Sequence, residues 1–191
     1  LRREPVQIDS AEMARLWAGT RVLITGGGGS IGSELCRQIA RHGPARLILV
    51  GHGENSLFAI DNELRLKSPT LHLDVVVADI RDAARLRRVF EQYLPQVVFH
   101  AAAHKHVPLM EANVEDAVTN NVGGTRTLVD LAVEFGVDRF VLISSDKAVT
   151  PANVMGATKR VAEMIVQQAA RQTGRAYASV RFGNVLGSRG S

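Results

Sequence analysis

Ser144-Ser145-Asp146-Lys147 sets hydroxyls, a carboxylate and an ammonium side by side, a combination suited to moving protons. Lys159 follows at the opening of a helical stretch, Met155-Gly156-Ala157-Thr158-Lys159. An ammonium there can hold sugar hydroxyls and lower a neighbour's pKa by its charge. Far upstream, residues 22–32 read Val-Leu-Ile-Thr-Gly-Gly-Gly-Gly-Ser-Ile-Gly, with Gly26, Gly29 and Gly32 spaced three apart. Glycine accepts φ > 0 and has no Cβ, so a pyrophosphate can approach such a turn closely. The amides and dipole of a helix opening near Ile31 then favour the anion. A glycine pattern alone is weak. Between a strand and a helix, in a chain that continues as strand–helix repeats, it marks a dinucleotide site.

In a sheet of that kind, ligands lie outside the carboxyl ends of the strands. After Val50 comes Gly51-His52-Gly53-Glu54. An acid at the strand end would grip ribose hydroxyls and favour NAD, but Gly51 stands there. Glu54 comes three residues late and reads equally as a helix start. His52 suits a 2′-phosphate, so NAD and NADP both stay open. In Ala78-Asp79-Ile80-Arg81-Asp82, Asp79 suits the adenine amine and Ile80 the adenine ring. Alternatively, one of these aspartates caps the next helix. In His100-Ala101-Ala102-Ala103-His104-Lys105-His106, the small residues let a cofactor lie against the backbone, and Lys105 suits phosphate or substrate. The histidines lack zincin spacing and a carboxylate motif, so no metal is expected. Asn120-Asn121-Val122-Gly123-Gly124 falls in a stretch, 113–135, read as one long helix. Asn and Gly are poor helix residues, which points to close packing or a functional kink.

These positions need a frame. Apolar runs predict strands near 21–25, 46–50, 73–78, 96–101, 139–144 and 177–181. Helices are expected near 31–42, 54–67, 81–93, 113–135 and 156–173, and a short one capped by Asp9 or Ser10 runs through Trp17 to Gly19. Alternation of this kind predicts an α/β doubly wound parallel sheet with helices on both faces. Residues 1–20 read as a linker and short helix, and 21–191 as a dinucleotide-binding domain that stops where a substrate domain would begin. The 191 residues, 46% hydrophobic and 22% charged, suit one globular domain. No apolar run is long enough to cross a bilayer. The single Cys36 excludes an internal disulfide and a cysteine-rich zinc site, and reads as a small buried apolar residue. A net charge of +4 suits a dinucleotide and an anionic substrate. Scattered basic residues without aromatic interleaving argue against nucleic acid.

Taken in order, ITGGGGSIGSELCRQI, GHGENS, ADIRD, HAAAHKHVPLME, NNVGGT, LISSDKAV, NVMGATKR and VRFGNVLGSRGS resemble the extended short-chain dehydrogenase/reductase superfamily, a Rossmann-fold group. More narrowly, the chain is similar to the CapD-like polysaccharide biosynthesis proteins, nucleotide-sugar 4,6-dehydratases. The superfamily's Tyr-x-x-x-Lys pair departs here: Met155 stands four before Lys159, and methionine is neither acid nor base. That departure matches the long, membrane-anchored branch.

The resemblance implies a UDP-sugar substrate, UDP-N-acetylglucosamine first, with NAD or NADP as cofactor. Hydride leaves carbon 4, water is lost across carbons 5 and 6, and hydride returns to carbon 6. Lys147 would take the carbon 5 proton, and Asp146 would protonate the departing hydroxyl. Ser145, backed by Lys159, would replace the missing tyrosine. The implied cofactor set is Thr25, Gly26, Gly29, Ser30, Ile31, Gly32, His52, Asp79, Ile80, Ala101, Ala102, Ala103, Lys105, Asn121, Ser144, Lys159 and Phe182. Lys105, His106, Asn184 and Arg189 would face substrate. The resemblance also implies a cytoplasmic catalytic domain, anchored upstream of Leu1 to the cytoplasmic face of a bacterial inner membrane. Leu109-Met110-Glu111 and the helix through Leu131 suit a homo-oligomer face, although an apolar helix face is more often core. Two alternatives remain: a nucleotide-sugar epimerase, which does not need the Asp146–Lys147 pair, and a dinucleotide-binding sensor without chemistry.

Overall fold

Strands buried on both faces are apolar at nearly every position. The runs 22–24, 47–50 and 97–99 meet that demand, whereas the strands over 73–77, 139–145 and 176–182 carry exposed or half-exposed positions. The computed structural model describes residues 10–185 and residue 187. The segment 1–9 and Arg189 lie outside the described residues. The strands are β1 (Arg21–Thr25), β2 (Arg46–Gly51), β3 (Leu73–Val77), β4 (Val97–His100), β5 (Arg139–Ser145) and β6 (Ala176–Phe182). All pair in parallel, in the order β3-β2-β1-β4-β5-β6. The expected doubly wound sheet is therefore present. The order reverses between β1 and β4, which opens a crevice at their carboxyl ends.

The helices are α1 (Ser10–Trp17), α2 (Ser30–Ala40), α3 (Glu54–Lys67), α4 (Ala83–Tyr93), α5 (Val107–Ala112), α6 (Val114–Val118), α7 (Gly124–Glu134) and α8 (Val154–Thr173). Successive strand side chains point to opposite faces. Val22, Ile24, Leu47, Leu49 and Phe99 form one core with Trp17, Cys36, Leu57 and Ile60, from α1, α2 and α3. Leu23, Ile48, Val50, Val98, Phe140 and Leu142 form the other with Phe90, Leu128 and Ile165, from α4, α7 and α8. Cys36 is fully buried, and burial pushes its thiol up to about 12, so it packs as an apolar residue. Gly19, at φ +72°, ends α1 as expected.

One expectation fails. Residues 113–135 are not a single helix. The π-helical turn Thr119–Gly123 separates α6 from α7, and α5, which was not expected, precedes them with Pro108 in its first turn. The wider turn carries Asn120 and Asn121 inward, to 5% and 1% exposure. Elsewhere the expected strands and helices differ from those observed by about two residues at their ends, the ordinary scatter of fraying termini.

Candidate active site

The glycine turn joins β1 to α2. Gly26 has φ +69°, and a Cβ there would lie 2.7 Å from the Ala101 carbonyl carbon at the end of β4. A Cβ on Gly32 would fall on the Gly26 carbonyl oxygen. Gly28, which the spacing did not single out, would collide with Ser56 of α3. Gly29 is the N-cap of α2, offers no side-chain cap, and is followed by a first turn without acidic residues. The amino end of α2 thus keeps its partial positive charge toward the crevice. This cradle fits a pyrophosphate. Thr25, Ser30 and Ile31 border it at the β1 end and in the first turn of α2.

Below the crevice, His100 is 1% exposed and bridges two hydroxyls. Its Nδ1 lies 2.8 Å from Thr25 Oγ1 and its Nε2 2.9 Å from Thr125 Oγ1. Thr125 donates its own hydrogen to the Asn121 carbonyl at 2.6 Å. Nε2 therefore carries the ring proton, and Nδ1 accepts from Thr25. Burial, with Lys159 nearby, drives the His100 pKa down to about 3, so the ring is neutral. Sequence reasoning did not assign it this role.

Asn121 sits on the π turn and grips the loop after β4. Its Oδ1 accepts from the His104 amide at 2.8 Å, and its Nδ2 donates to the His104 carbonyl and to Thr158 Oγ1, both at 3.0 Å. The kink foreseen at Asn120–Gly124 thus holds Ala101, Ala102 and Ala103 along the crevice. Lys105 and His106 are exposed on the same loop. Among the described residues no cluster of His, Cys, Asp or Glu has metal-binding geometry.

At the β5 end, Asp146 Oδ1 accepts from Lys147 Nζ at 3.1 Å and from Ser145 Oγ at 3.0 Å. The ammonium and the hydroxyl hold the Asp146 carboxyl below its ordinary range, so it rests as a carboxylate. The Ser145 hydroxyl also accepts from the Lys147 amide at 3.2 Å, which starts a single 3₁₀ turn. Gly156 lets α8 pack onto that turn: a Cβ there would lie 2.5 Å from the Lys147 carbonyl oxygen. Asn153 caps α8 on the Gly156 amide, and Glu111 accepts from the Val154 amide at 2.6 Å. Met155, at the place of the superfamily tyrosine, is buried with Met110 and Ala117. Lys159 Nζ donates to the Ile143 carbonyl at 2.6 Å, and burial lowers its pKa to about 8.

On the β3 side, Asp79 is gripped by Arg81, through Nη2 to Oδ2 at 2.6 Å and through the Arg81 amide at 2.8 Å. This pairing, chiefly the Arg81 hydrogen bond, lowers the Asp79 pKa to about 2. Arg81 also reaches Asp116 at 2.8 Å, and Asp116 meets His104 Nε2 at 2.9 Å. Ile80 is buried, its side chain against Gly124. Asp82, not Asp79, caps α4, on the Arg85 amide. His52 and Glu54 are exposed at the β2 end. Phe182 and Asn184 are exposed at the β6 end. Ser144 is buried and donates to Glu163, a residue that motif reading passed over.

The polysaccharide biosynthesis protein family matches residues 22–191. The chain is 52% identical over 194 residues to a probable polysaccharide biosynthesis protein, EpsC, of Bacillus subtilis. It is 48% identical over 193 residues to the capsular polysaccharide biosynthesis protein CapD of Staphylococcus aureus. Each comparison covers 100% of this chain but 32% of the relative. A UDP-N-acetylglucosamine 4,6-dehydratase (inverting) of Campylobacter jejuni is 31% identical over 180 residues, 92% of this chain and 52% of that protein. Among solved structures, Pen from Bacillus thuringiensis superposes with TM-score 0.84 at 35% identity, over 92% of this chain and 54% of that one. A double mutant of the dTDP-glucose 4,6-dehydratase DesIV of Streptomyces venezuelae, with NAD bound, gives TM-score 0.73 at 27% identity, over 84% and 55%. With a Rossmann sheet, a glycine cradle and a family match over nearly its whole length, the chain belongs to the polysaccharide biosynthesis protein family.

Proposed function

We propose that this chain is the cofactor domain of an NAD(P)-dependent nucleotide-sugar 4,6-dehydratase acting on UDP-N-acetylglucosamine. The observation that carries the reading is the Asp146–Lys147 pair at the carboxyl end of β5, one strand from the crevice and beside buried Lys159. The glycine cradle and the uncapped α2 hold the pyrophosphate. Lys159 meets the nicotinamide ribose. A bound nicotinamide supplies the redox chemistry, one hydride taken from sugar carbon 4 and returned to carbon 6, with no net oxidation.

The proton steps belong to the chain. At rest, Lys147 is an ammonium and Asp146 a carboxylate. The reactive pair is a neutral amine and a neutral acid, one proton having passed along their 3.1 Å hydrogen bond. That transfer is uphill in water, and displacement of water by the bound sugar, which penalises both charges, favours it. The amine then takes the proton from carbon 5, acidified by the ketone at carbon 4. The acid gives its proton to the carbon 6 hydroxyl, which leaves as water. These two transfers restore the ion pair. When hydride reaches carbon 6, Lys147 returns a proton to carbon 5. The proton released from the carbon 4 hydroxyl through Ser145, hydrogen-bonded to Asp146 at 3.0 Å, replaces it, so no outside proton is consumed. Ser145, held by the same carboxylate, faces the carbon 4 hydroxyl in place of the tyrosine. Met155, buried with Met110 and Ala117, supports this, because it offers no acid or base at the tyrosine position. Lys105, His106, Asn184 and Arg189 serve the sugar diphosphate.

Lys147→Ala, in a chain extended to the length of its relatives, tests the assignment. Dehydration should fall at least about a hundredfold, the usual worth of a positioned base, with dinucleotide affinity unchanged. Full activity in that variant would refute the base role of Lys147.

A further inference from the structure

Two side chains of α8 grip consecutive residues of β5 just before the Ser145–Asp146–Lys147 run. Lys159 Nζ donates to the Ile143 carbonyl, and the Ser144 hydroxyl donates to Glu163 Oε1, each at 2.6 Å. Lys159 and Glu163 are four residues apart and stand one turn apart on one helix face. Glu163 is 6% exposed, and a buried carboxylate is costly unless fully paired. Arg181 of β6 pairs it, with Nε on Oε1 at 2.9 Å and Nη2 on Oε2 at 2.7 Å. Arg160 adds a longer contact at 3.4 Å. Arg181 is also the register partner of Ser144 across β5 and β6. A single carboxylate therefore joins α8 to the ends of two strands.

We propose that Glu163 is a positioning residue for Lys159: its carboxylate fixes the helix turn that brings the ammonium to the β5 end and supplies the negative charge that faces it. Burial disfavours the charged form of Lys159, and Glu163 opposes burial. The other titratable or charged groups around the pair are His100 on β4, Asp146 and Lys147 beyond the β5 end, Arg160 on α8 and Arg181 on β6; Asp146, the one anion among these five, is held by Lys147 and Ser145. The use of Lys159 in chemistry rests on the dehydratase reading; the clamp itself does not.

The chain has four lysines, Lys67, Lys105, Lys147 and Lys159, so carbon-13 labelling of the lysine ε-carbons lets NMR follow Lys159 through a pH titration of the unliganded chain. Its midpoint should lie near 8 in the parent chain. Glu163→Gln should lower that midpoint by about one pH unit or more, since an anion is lost from a buried cation's surroundings. Arg181→Gln should raise it, because the cation that offsets Glu163 is gone. A purely structural ion pair would leave the midpoint in place. A midpoint unmoved or raised in folded Glu163→Gln overturns the proposal. If Glu163→Gln does not fold, Glu163→Asp decides alone: a midpoint lowered by the withdrawn carboxylate supports the role, and an unmoved or raised one overturns it. Product formation does not enter this titration, so its outcome is independent of the dehydratase reading.

Discussion

His100 shows how a single buried side chain ties stability to pH. Its folded pKa is about 3, against an ordinary value near 6.5 in an unfolded chain. Between those values the unfolded chain binds the extra proton, so stability rises with pH across that window. Acidification from pH 7 to pH 5 should therefore remove about 2 kcal/mol through this residue alone. Carboxylates with ordinary or lowered pKa values titrate mostly below that range. Urea unfolding at the two pH values checks this, with His100→Gln expected to show a much flatter dependence. Equal slopes in both proteins would show that His100 titrates freely. The sequence marked His100 only as the first of several histidines after a strand. Its neutral state follows from burial, and its tautomer from Thr25, 75 residues away, and Thr125, 25 residues away, contacts that no local pattern encodes.

At the scale of elements, the central strands β1, β2 and β4 were legible because a strand buried on both faces is apolar almost throughout, and the glycine turn because few residues fit it. The 113–135 segment was not. Its misfit residues, Asn120, Asn121, Gly123 and Gly124, signalled a break, but its form depends on what the turn packs against. Two adjacent glycines there make opposite demands. A Cβ on Gly124 would lie 2.5 Å from Ile80 Cδ1, whereas a Cβ on Gly123 meets nothing within 4 Å. Gly124→Ala should destabilise the chain by about 1–3 kcal/mol through overpacking. Gly123→Ala should stabilise it by about 0.5–1 kcal/mol, because helical glycine gives up more backbone entropy than alanine. Thermal or urea unfolding of the two variants reads both signs, and a stable Gly124→Ala would mean that Ile80 has room to move. The ion pairs that frame the site were illegible for a related reason. Arg81 finds Asp116 across 35 residues and Arg181 finds Glu163 across 18, so only the folded topology brings them together.

For the molecule as a whole, the chain spans about a third to a half of the length of the relatives and structures that it matches. No helix among the described residues is long and apolar enough to cross a membrane. The residues assigned to the dinucleotide gather at the carboxyl ends of the strands and on α2, the π turn and α8 that border them, and the proposed substrate contacts, Lys105, His106 and Asn184, are exposed beside them. Cofactor binding is thus proposed for these 191 residues and turnover for a chain of the relatives' length. Proton NMR of UDP-N-acetylglucosamine in deuterated water, with this chain and an extended one compared side by side, tests that claim most directly. The account predicts that the extended chain produces a new methyl signal, collapsed from doublet to singlet by deuterium at carbon 5, while the shorter chain binds dinucleotide without turnover. An epimerised sugar with no methyl signal, or an unchanged sugar beside an extended chain with bound dinucleotide, would contradict it.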